Sequence, residues 1–220
     1  MMDSSTPSGN LKISRPRTAN KWSLVLDLDQ TLIKGRYLKQ NDPDKPLTKT
    51  KELETIPGEF AAYDEFLDRI QGYGVISRPL LNEFIKVCCH NFEHIFVWST
   101  NSAKYVDMIV GKIFEKQSKF PTSVWSFQHC KEIKGNYTKP LSKLKSSFDF
   151  IDIKTCLIVD DISNSFVETT DNGILIPEFL GDPNDKHLET LIDWIKKIPR
   201  KSRDLTVIPK PVFQLDKSKT

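Results

Sequence analysis

Two aspartates end a short apolar run near the start of the chain. The segment LVLDLDQTL, residues 24–32, carries Asp27, Asp29 and Thr31 at every second position. Side chains of an extended strand alternate between its two faces, so these three side chains share one face. Two carboxylates this close repel each other and lose solvation when they are buried. The pattern therefore requires a partner that compensates their charge.

Further chemically active residues follow other apolar segments. Ser99 ends HIFVWS, and Asp160 and Asp161 end TCLIVDD. Such short runs, rich in Val, Ile and Trp and closed by polar residues, are typical of buried strands. Five of them predict strands at 22–28, 94–99, 122–127, 155–161 and 173–177.

Helical patterns alternate with these strands. Apolar residues recur at helical spacing within 79–92, where Pro79 is predicted as the first helical residue, and within 101–114 and 182–198. Strands that alternate with helices indicate a parallel sheet covered on both faces, a three-layer Rossmann-like α/β fold. Ligands bind at the carboxyl ends of such strands. Asp27, Ser99 and Asp160 are predicted to lie there.

Residues 36–76 interrupt this alternation and are predicted to be an insertion after the first strand. The piece KQNDPDKPLTKTKE predicts a loop or a weak hairpin. A helix is then predicted to end near Gly72, with four apolar residues on one face: Phe60, Tyr63, Leu67 and Ile70. Two interpretations stay open for the insertion, a cap or substrate wall and a segment that merely packs.

Composition limits the class of protein. The chain has 220 residues and a net charge of +3, too small to indicate nucleic-acid binding by itself. Residues 1–20 are predicted to be a polar, disordered leader, and residues 21–198 are predicted to be the folded domain. Residues 199–220 form a basic, Pro-containing tail, which is either an import signal or a solvated charge run. Four cysteines without a C-x-x-C pair predict free thiols in the nucleus or cytoplasm. No apolar run approaches the roughly 20 residues of a membrane span.

Four segments together resemble a known superfamily. The D-x-D-x-T pattern of residues 27–31 resembles the signature of the haloacid dehalogenase phosphatases. FVWSTNSAKY, NYTKPLSKL and LIVDDISNSF resemble that superfamily's Ser/Thr, lysine and acidic motifs, in the same order. Four motifs in order are far more specific than one. The resemblance implies a haloacid dehalogenase-like fold.

A closer resemblance is to the phosphatases of the RNA polymerase II C-terminal domain, also called NLI-interacting-factor-like phosphatases. SRPLLNEFI resembles their Arg-Pro helix start, and VDDISNSFVETTDNGILIPEFL and DKHLETLIDWIKKI resemble the ubiquitin-like-domain-containing branch. This resemblance covers residues 22–198. It implies a Mg²⁺-dependent phosphatase of phosphoserine or phosphothreonine in proteins, with polymerase C-terminal repeats as candidate substrates and with no membrane or direct nucleic-acid partner.

The resemblance also implies a role for each site residue. Asp27 is expected to be the nucleophile that forms an aspartyl-phosphate, and Asp29 the general acid and base. Asp27, Asp161 and the main-chain carbonyl of Asp29 are expected to hold Mg²⁺, which prefers oxygen ligands. Lys139 and Ser99 are expected to contact phosphate.

Other residues are expected to support these groups. Thr31 either contacts phosphate or only shapes its loop, and Arg78 either touches substrate or packs. Asp160 and Asn101 complete the expected supporting set. Two rival functions stay open: a phosphoprotein-binding scaffold of the same fold with weak or lost catalysis, and a phosphatase of nucleic-acid 3′-phosphates or small metabolites.

Overall fold

A five-stranded parallel sheet forms the centre of the computed structural model, which describes residues 20–38, 59–66 and 69–213. In spatial order its strands are β10 (Gly173–Leu175), β9 (Cys156–Asp160), β1 (Asn20–Leu26), β5 (Phe92–Trp98) and β6 (Ser123–Trp125). Every neighbouring pair is parallel. The predicted parallel α/β fold is confirmed, and each predicted strand overlaps an observed one.

Both faces of this sheet are buried. Leu24 and Leu26 pack with α1 (Leu81–Asn91), α2 (Ala103–Phe114) and α4 (His187–Lys197). Val25, between them in sequence, packs instead with the short helix α3 (Leu141–Ser147), which the sequence did not predict. Adjacent side chains of a strand point to opposite faces, so the helices form layers on both sides of the sheet.

The start of α1 differs from the prediction. The helix begins at Leu81, two residues after Pro79, and Leu80 before it has a left-handed backbone with φ 65°. The N–H of Leu81 donates to the carbonyl of Arg78 (3.1 Å), so a turn precedes the helix. The prediction of Pro79 as the first helical residue is wrong.

A second sheet follows β1. It contains β2 (Ile33–Leu38), β3 (Glu59–Phe66) and β4 (Arg69–Ser77), antiparallel in the order β2-β4-β3. The helix predicted around Tyr63 and ending near Gly72 is therefore wrong, because Tyr63 and Gly72 pair across two strands. Apolar spacing in this segment matches a helix, but pairing of β4 with a strand on each side overrides that local pattern. The loop or hairpin predicted at 39–52 and the leader 1–19 lie outside the described residues.

Two further features border the domain. A hairpin of β7 (Lys131–Ile133) and β8 (Asn136–Thr138) leads into Lys139. After α4 the chain continues over the domain, because Leu205 is completely buried and the carbonyl of Ser202 accepts a hydrogen bond from the Trp22 indole (3.0 Å). The packed chain thus extends past the predicted boundary at residue 198.

The state of the cysteines and the character of the helices are as follows. All four cysteines are free thiols, three of them buried. Within the described part of the chain, no helix is both long enough and apolar enough to cross a bilayer.

Candidate active site

A tight turn after β1 presents the first aspartates. The carbonyl of Leu28 accepts hydrogen bonds from the N–H groups of Thr31 (3.3 Å), Leu32 (2.8 Å) and Ile33 (3.1 Å). Gln30 has a left-handed backbone with φ 61°, a conformation that residues other than glycine rarely adopt. The turn separates Asp27, which follows the strand directly, from Asp29, which begins the turn.

Lys139 forms a buried ion pair with two aspartates from neighbouring strand ends. Its Nζ lies 2.5 Å from Asp27 Oδ1 and 2.7 Å from Asp160 Oδ2, and its side chain is 1% exposed. The N–H of Lys139 donates to the carbonyl of Ser165 (2.7 Å), which places the lysine beside the loop after β9. Among the described residues Asp27 Oδ2 has no hydrogen-bond partner, so this oxygen is available to a ligand.

Asp161 completes a cluster of three carboxylates. Asp27, Asp160 and Asp161 each offer an oxygen, and these oxygens lie within 4.8 Å of one another. Asp161 Oδ1 accepts a hydrogen bond from the Thr31 hydroxyl (3.0 Å), which in turn accepts one from the Asp161 N–H (3.1 Å). Asp161 thus engages the completely buried hydroxyl of Thr31 both as acceptor and as donor.

The electrostatics of this cluster show a deficit of positive charge. Burial raises the pKa of Asp27 to about 7, although Lys139 opposes this shift, and burial also raises the pKa of Asp161. Burial alone would lower the pKa of Lys139, but the charges of Asp27 and Asp160 outweigh it and raise that pKa. One ammonium therefore faces three carboxylates. Clustered oxygen ligands that lack sufficient positive charge fit a hard divalent cation such as Mg²⁺.

Asp29 lies in different surroundings. Its Oδ1 accepts a hydrogen bond from the Tyr105 hydroxyl (2.7 Å), and its Oδ2 accepts one from the Asn101 amide (2.7 Å). Burial raises the pKa of Asp29, and these two hydrogen bonds partly offset the rise. A Cβ on Gly35 would lie 2.7 Å from the Tyr105 hydroxyl oxygen, so only glycine leaves room for this contact.

Ser99 sits at the end of β5. Its buried hydroxyl oxygen accepts a hydrogen bond from the N–H of Asn101 (3.1 Å). Within the described residues the hydroxyl proton has no acceptor, so it can be donated to a phosphoryl oxygen. The same short loop thus supplies Ser99 and, through the side chain of Asn101, a contact to Asp29.

Arg78 contacts the turn that carries Asp29 and Thr31. It makes a two-pronged ion pair with Asp185, with Nε–Oδ1 2.9 Å and Nη2–Oδ2 2.8 Å, and donates to the carbonyls of Thr31 (2.8 Å) and Pro177 (2.7 Å). The buried guanidinium joins the turn after β1 to the segments before α4. These contacts hold the guanidinium inside the domain, where it is almost completely buried.

Comparison with known proteins identifies the family. The sequence model of the NLI interacting factor-like phosphatases matches residues 22–206, most of the chain. The protein belongs to this family.

Proteins similar in sequence to this chain include two named as small phosphatases. A "Probable C-terminal domain small phosphatase" of Dictyostelium discoideum is 28% identical over 193 residues, covering 86% of this chain and 56% of its own length. The human "Carboxy-terminal domain RNA polymerase II polypeptide A small phosphatase 1" is 25% identical over 198 residues, covering 90% of this chain and 67% of its own. The chain thus spans only part of these relatives.

A solved structure of Fcp1, titled an essential RNA polymerase II CTD phosphatase, shares the fold. It superposes with a TM-score of 0.59 at 17% identity, covering 83% of this chain and 63% of that one. The resemblance to the polymerase C-terminal-domain phosphatases and the haloacid dehalogenase-like fold are confirmed.

The structure of this family member brings the predicted residues together, with additions. The predicted phosphate, acid and metal residues occupy one edge of the sheet, except that the side chain of Asp29 faces Asn101 and Tyr105. Tyr105 lies within the helical pattern predicted at 101–114, and nothing in that pattern marked it as a site residue. Its distinguishing signal was its position in the segment that contains Ser99. The hydroxyl of a buried tyrosine ring requires a hydrogen-bond partner.

Proposed function

We propose that this chain is a Mg²⁺-dependent phosphatase of phosphoserine and phosphothreonine in proteins, with peptides like the RNA polymerase II C-terminal repeats as candidate substrates. One observation carries this proposal: two carboxylates two residues apart lie in separate environments. Asp27 faces Lys139 within the acidic cluster, whereas Asp29 is held outside it by Tyr105 and Asn101. Carboxyl groups whose surroundings differ in this way suit the separate tasks of nucleophile and proton donor.

In the first proposed step Asp27 attacks phosphorus. A bond forms between a carboxylate oxygen of Asp27 and phosphorus as the bond from phosphorus to the seryl oxygen breaks. The leaving oxygen takes the proton of Asp29, whose raised pKa favours the protonated form. The products of this step are the dephosphorylated serine and an aspartyl-phosphate.

In the second proposed step water restores the enzyme. Asp29, now ionised, accepts a proton from water while the water oxygen attacks phosphorus. The bond between phosphorus and Asp27 breaks, and inorganic phosphate leaves. The ammonium of Lys139 and the hydroxyl of Ser99 face the phosphoryl oxygens and offset their negative charge.

The acidic cluster fits the cation that the family resemblance implies. Asp27 and Asp161 would hold it, together with the main-chain carbonyl of Asp29 expected from the sequence, while Asp160 is occupied by Lys139 and by the N–H of Ile162 (2.9 Å). When bound, a divalent cation would neutralise the carboxylates and polarise the phosphoryl group.

Hydrolysis of para-nitrophenyl phosphate tests the chemistry. Activity should require Mg²⁺ and disappear with a chelator, and Asp27→Asn should abolish it. Asp29→Asn should lower kcat about 10²–10⁴-fold, the usual contribution of a general acid and base. Acid quenching with a ³²P-labelled phosphopeptide should trap label on the wild type and none on Asp27→Asn. Stable, Mg²⁺-binding protein with no turnover would favour the scaffold instead.

A phosphopeptide panel tests the substrate. Polymerase-repeat peptides phosphorylated at different serines are compared with unrelated phosphopeptides, a nucleic-acid 3′-phosphate and a sugar phosphate. Faster turnover of one polymerase-repeat peptide is expected. Equal kcat/KM values across all the peptides would contradict the polymerase substrate and leave the enzyme class standing. We also propose a nuclear or cytoplasmic location, which tagged protein in cells would test.

A further inference from the structure

An open cavity of about 750 Å³ lies away from the candidate active site. It is bounded by one face of α1, by residues 116–118 after α2 and by the end of α4. Helix α1 ends at Asn91, where β5 begins, whereas Ser99 follows the other end of β5. The strand between them spans about 20 Å. A single phosphate group therefore cannot occupy both places.

The lining of this cavity is strongly basic. Residues of α1 at helical spacing contribute one wall, and later segments add the rest. Among the described residues that line it, the charged side chains and the histidine comprise one acid, Glu83, and five bases: Lys86, His90, Lys116, Lys196 and Arg200. With the histidine neutral, the lining carries a formal charge of +3, four cations less one acid.

The four lysine and arginine side chains are unpaired within the described residues. Neither an ion pair nor a side-chain hydrogen bond engages any of them. Lys119 nearby behaves differently, since its Nζ donates to the carbonyls of Phe92 (2.6 Å) and Glu93 (3.2 Å). Like charges gathered around one cavity repel one another, and a bound anion relieves that repulsion.

We infer that this cavity binds an acidic peptide segment of a partner protein. In the part of the chain that the structure describes, no Phe, Tyr or Trp lines the cavity for a base to stack on, and Glu83 would repel a continuous phosphate backbone. The half-buried Gln117 and the exposed Ser118 instead provide hydrogen-bonding side chains suited to a peptide. The inference does not depend on the proposed catalysis.

Two double variants test this site in the full chain. Lys86→Glu with Lys196→Glu reverses two charges that line the cavity. The matched control, Lys145→Glu with Lys197→Glu, reverses two exposed charges that do not, and Lys197 lies beside Lys196 in the last turn of α4. Both pairs change the net charge equally, and both alter the end of α4 in the same way.

Fluorescence anisotropy measures binding of a labelled peptide of about twelve residues, mostly Glu and Asp, at about 0.15 M salt with a chelator present. The cavity variant should weaken binding about tenfold or more, whereas the control should change it by no more than about twofold. Because no Mg²⁺ and no turnover are involved, loss of phosphatase activity would leave this result intact.

Three outcomes would overturn the inference. The wild type could fail to bind the peptide, or both double variants could weaken binding equally, which would show a general charge effect. A single-stranded RNA of equal charge could bind more tightly than the peptide, which would make the cavity a nucleic-acid site. Circular dichroism and thermal melting establish that each variant is folded. If the charge-reversed cavity variant unfolds, the same comparison is made with glutamine. The cavity variant is then Lys86→Gln with Lys196→Gln, and its control is Lys145→Gln with Lys197→Gln.

Discussion

Replacement of Lys139 by methionine tests the charge balance of the site most directly. Methionine keeps much of the length of the side chain and removes the ammonium that lies 2.5 Å from Asp27 Oδ1 and 2.7 Å from Asp160 Oδ2. Breaking a buried ion pair from one side leaves uncompensated charge and costs about 3–5 kcal/mol. The side chains involved are almost completely buried, so solvent screens little of this loss.

The loss should depend on pH, because a carboxyl group can take up a proton in place of the missing cation. Burial already raises the pKa of Asp27 to about 7, and removal of Lys139 raises it further. The folded variant then binds more protons than its unfolded chain, so its free energy of unfolding falls as pH rises. We expect a loss of about 3 kcal/mol or more near pH 8, smaller by up to about 1.4 kcal/mol for each pH unit between the raised pKa and about pH 7. Below about pH 7 Asp27 is protonated in the folded wild type as well, so the loss should change no further.

Urea unfolding followed by tryptophan fluorescence, with a chelator present, measures this loss near pH 6 and near pH 8. Lys143→Met is the matched control, since Lys143 is exposed and donates only to the carbonyl of His129 (2.8 Å). The control should change the free energy of unfolding by less than about 0.5 kcal/mol. Turnover of para-nitrophenyl phosphate by Lys139→Met should fall about 10²–10³-fold. A destabilisation below about 1 kcal/mol near pH 8, or one equal to that of the control, would refute the reasoning.

Three further predictions concern the surroundings of the site. Gly35→Ala should lower kcat about tenfold, because its Cβ would lie 2.7 Å from the Tyr105 hydroxyl oxygen and displace the side chain that bonds Asp29, the proposed proton donor. Tyr105→Phe in the same chain should add little further loss, and full activity of Gly35→Ala would contradict this contact. Arg78→Lys should lower the free energy of unfolding by about 2–4 kcal/mol in urea titrations, because a lysine cannot make the two-pronged pair with Asp185 and also reach two carbonyls. A change below about 0.5 kcal/mol would show that these contacts contribute little. Calorimetry should show that the Mg²⁺ dissociation constant falls about tenfold for each unit by which pH rises toward about 7, and then levels off, because Mg²⁺ must displace the proton of Asp27. A dissociation constant independent of pH would count against Asp27 as a ligand.

The sequence was sufficient to predict the central sheet and where most of the candidate site residues lie. Short apolar strands that alternate with helices predict a parallel sheet, and parallel strands bring their carboxyl ends to one edge. Asp27, Ser99 and Asp160 lie at the carboxyl ends of β1, β5 and β9, which are neighbouring strands. Lys139 was predicted only because its segment resembles a family motif, since an isolated lysine between polar residues has no pattern of its own.

The segment between β1 and α1 shows where local pattern fails. Apolar residues at positions 60, 63, 67 and 70 satisfy the spacing of a helix, yet the chain forms β3 and β4 there. Helix and strand preferences of such a short segment differ by little free energy, and backbone pairing with β2 adds hydrogen bonds that no local pattern records.

Residue types, spacing and motif order determined the fold class, the edge of the sheet that carries the site and the pair of aspartates proposed to do the chemistry. Tertiary structure alone decided the partners of those residues. The Tyr105 hydroxyl on Asp29, the space left by Gly35 and the basic cavity beside α1 all join segments far apart in the chain, such as the 76 residues between Asp29 and Tyr105. Local sequence constrains a residue's backbone and the face it shares, but which distant side chain it meets depends on the packing of the whole domain.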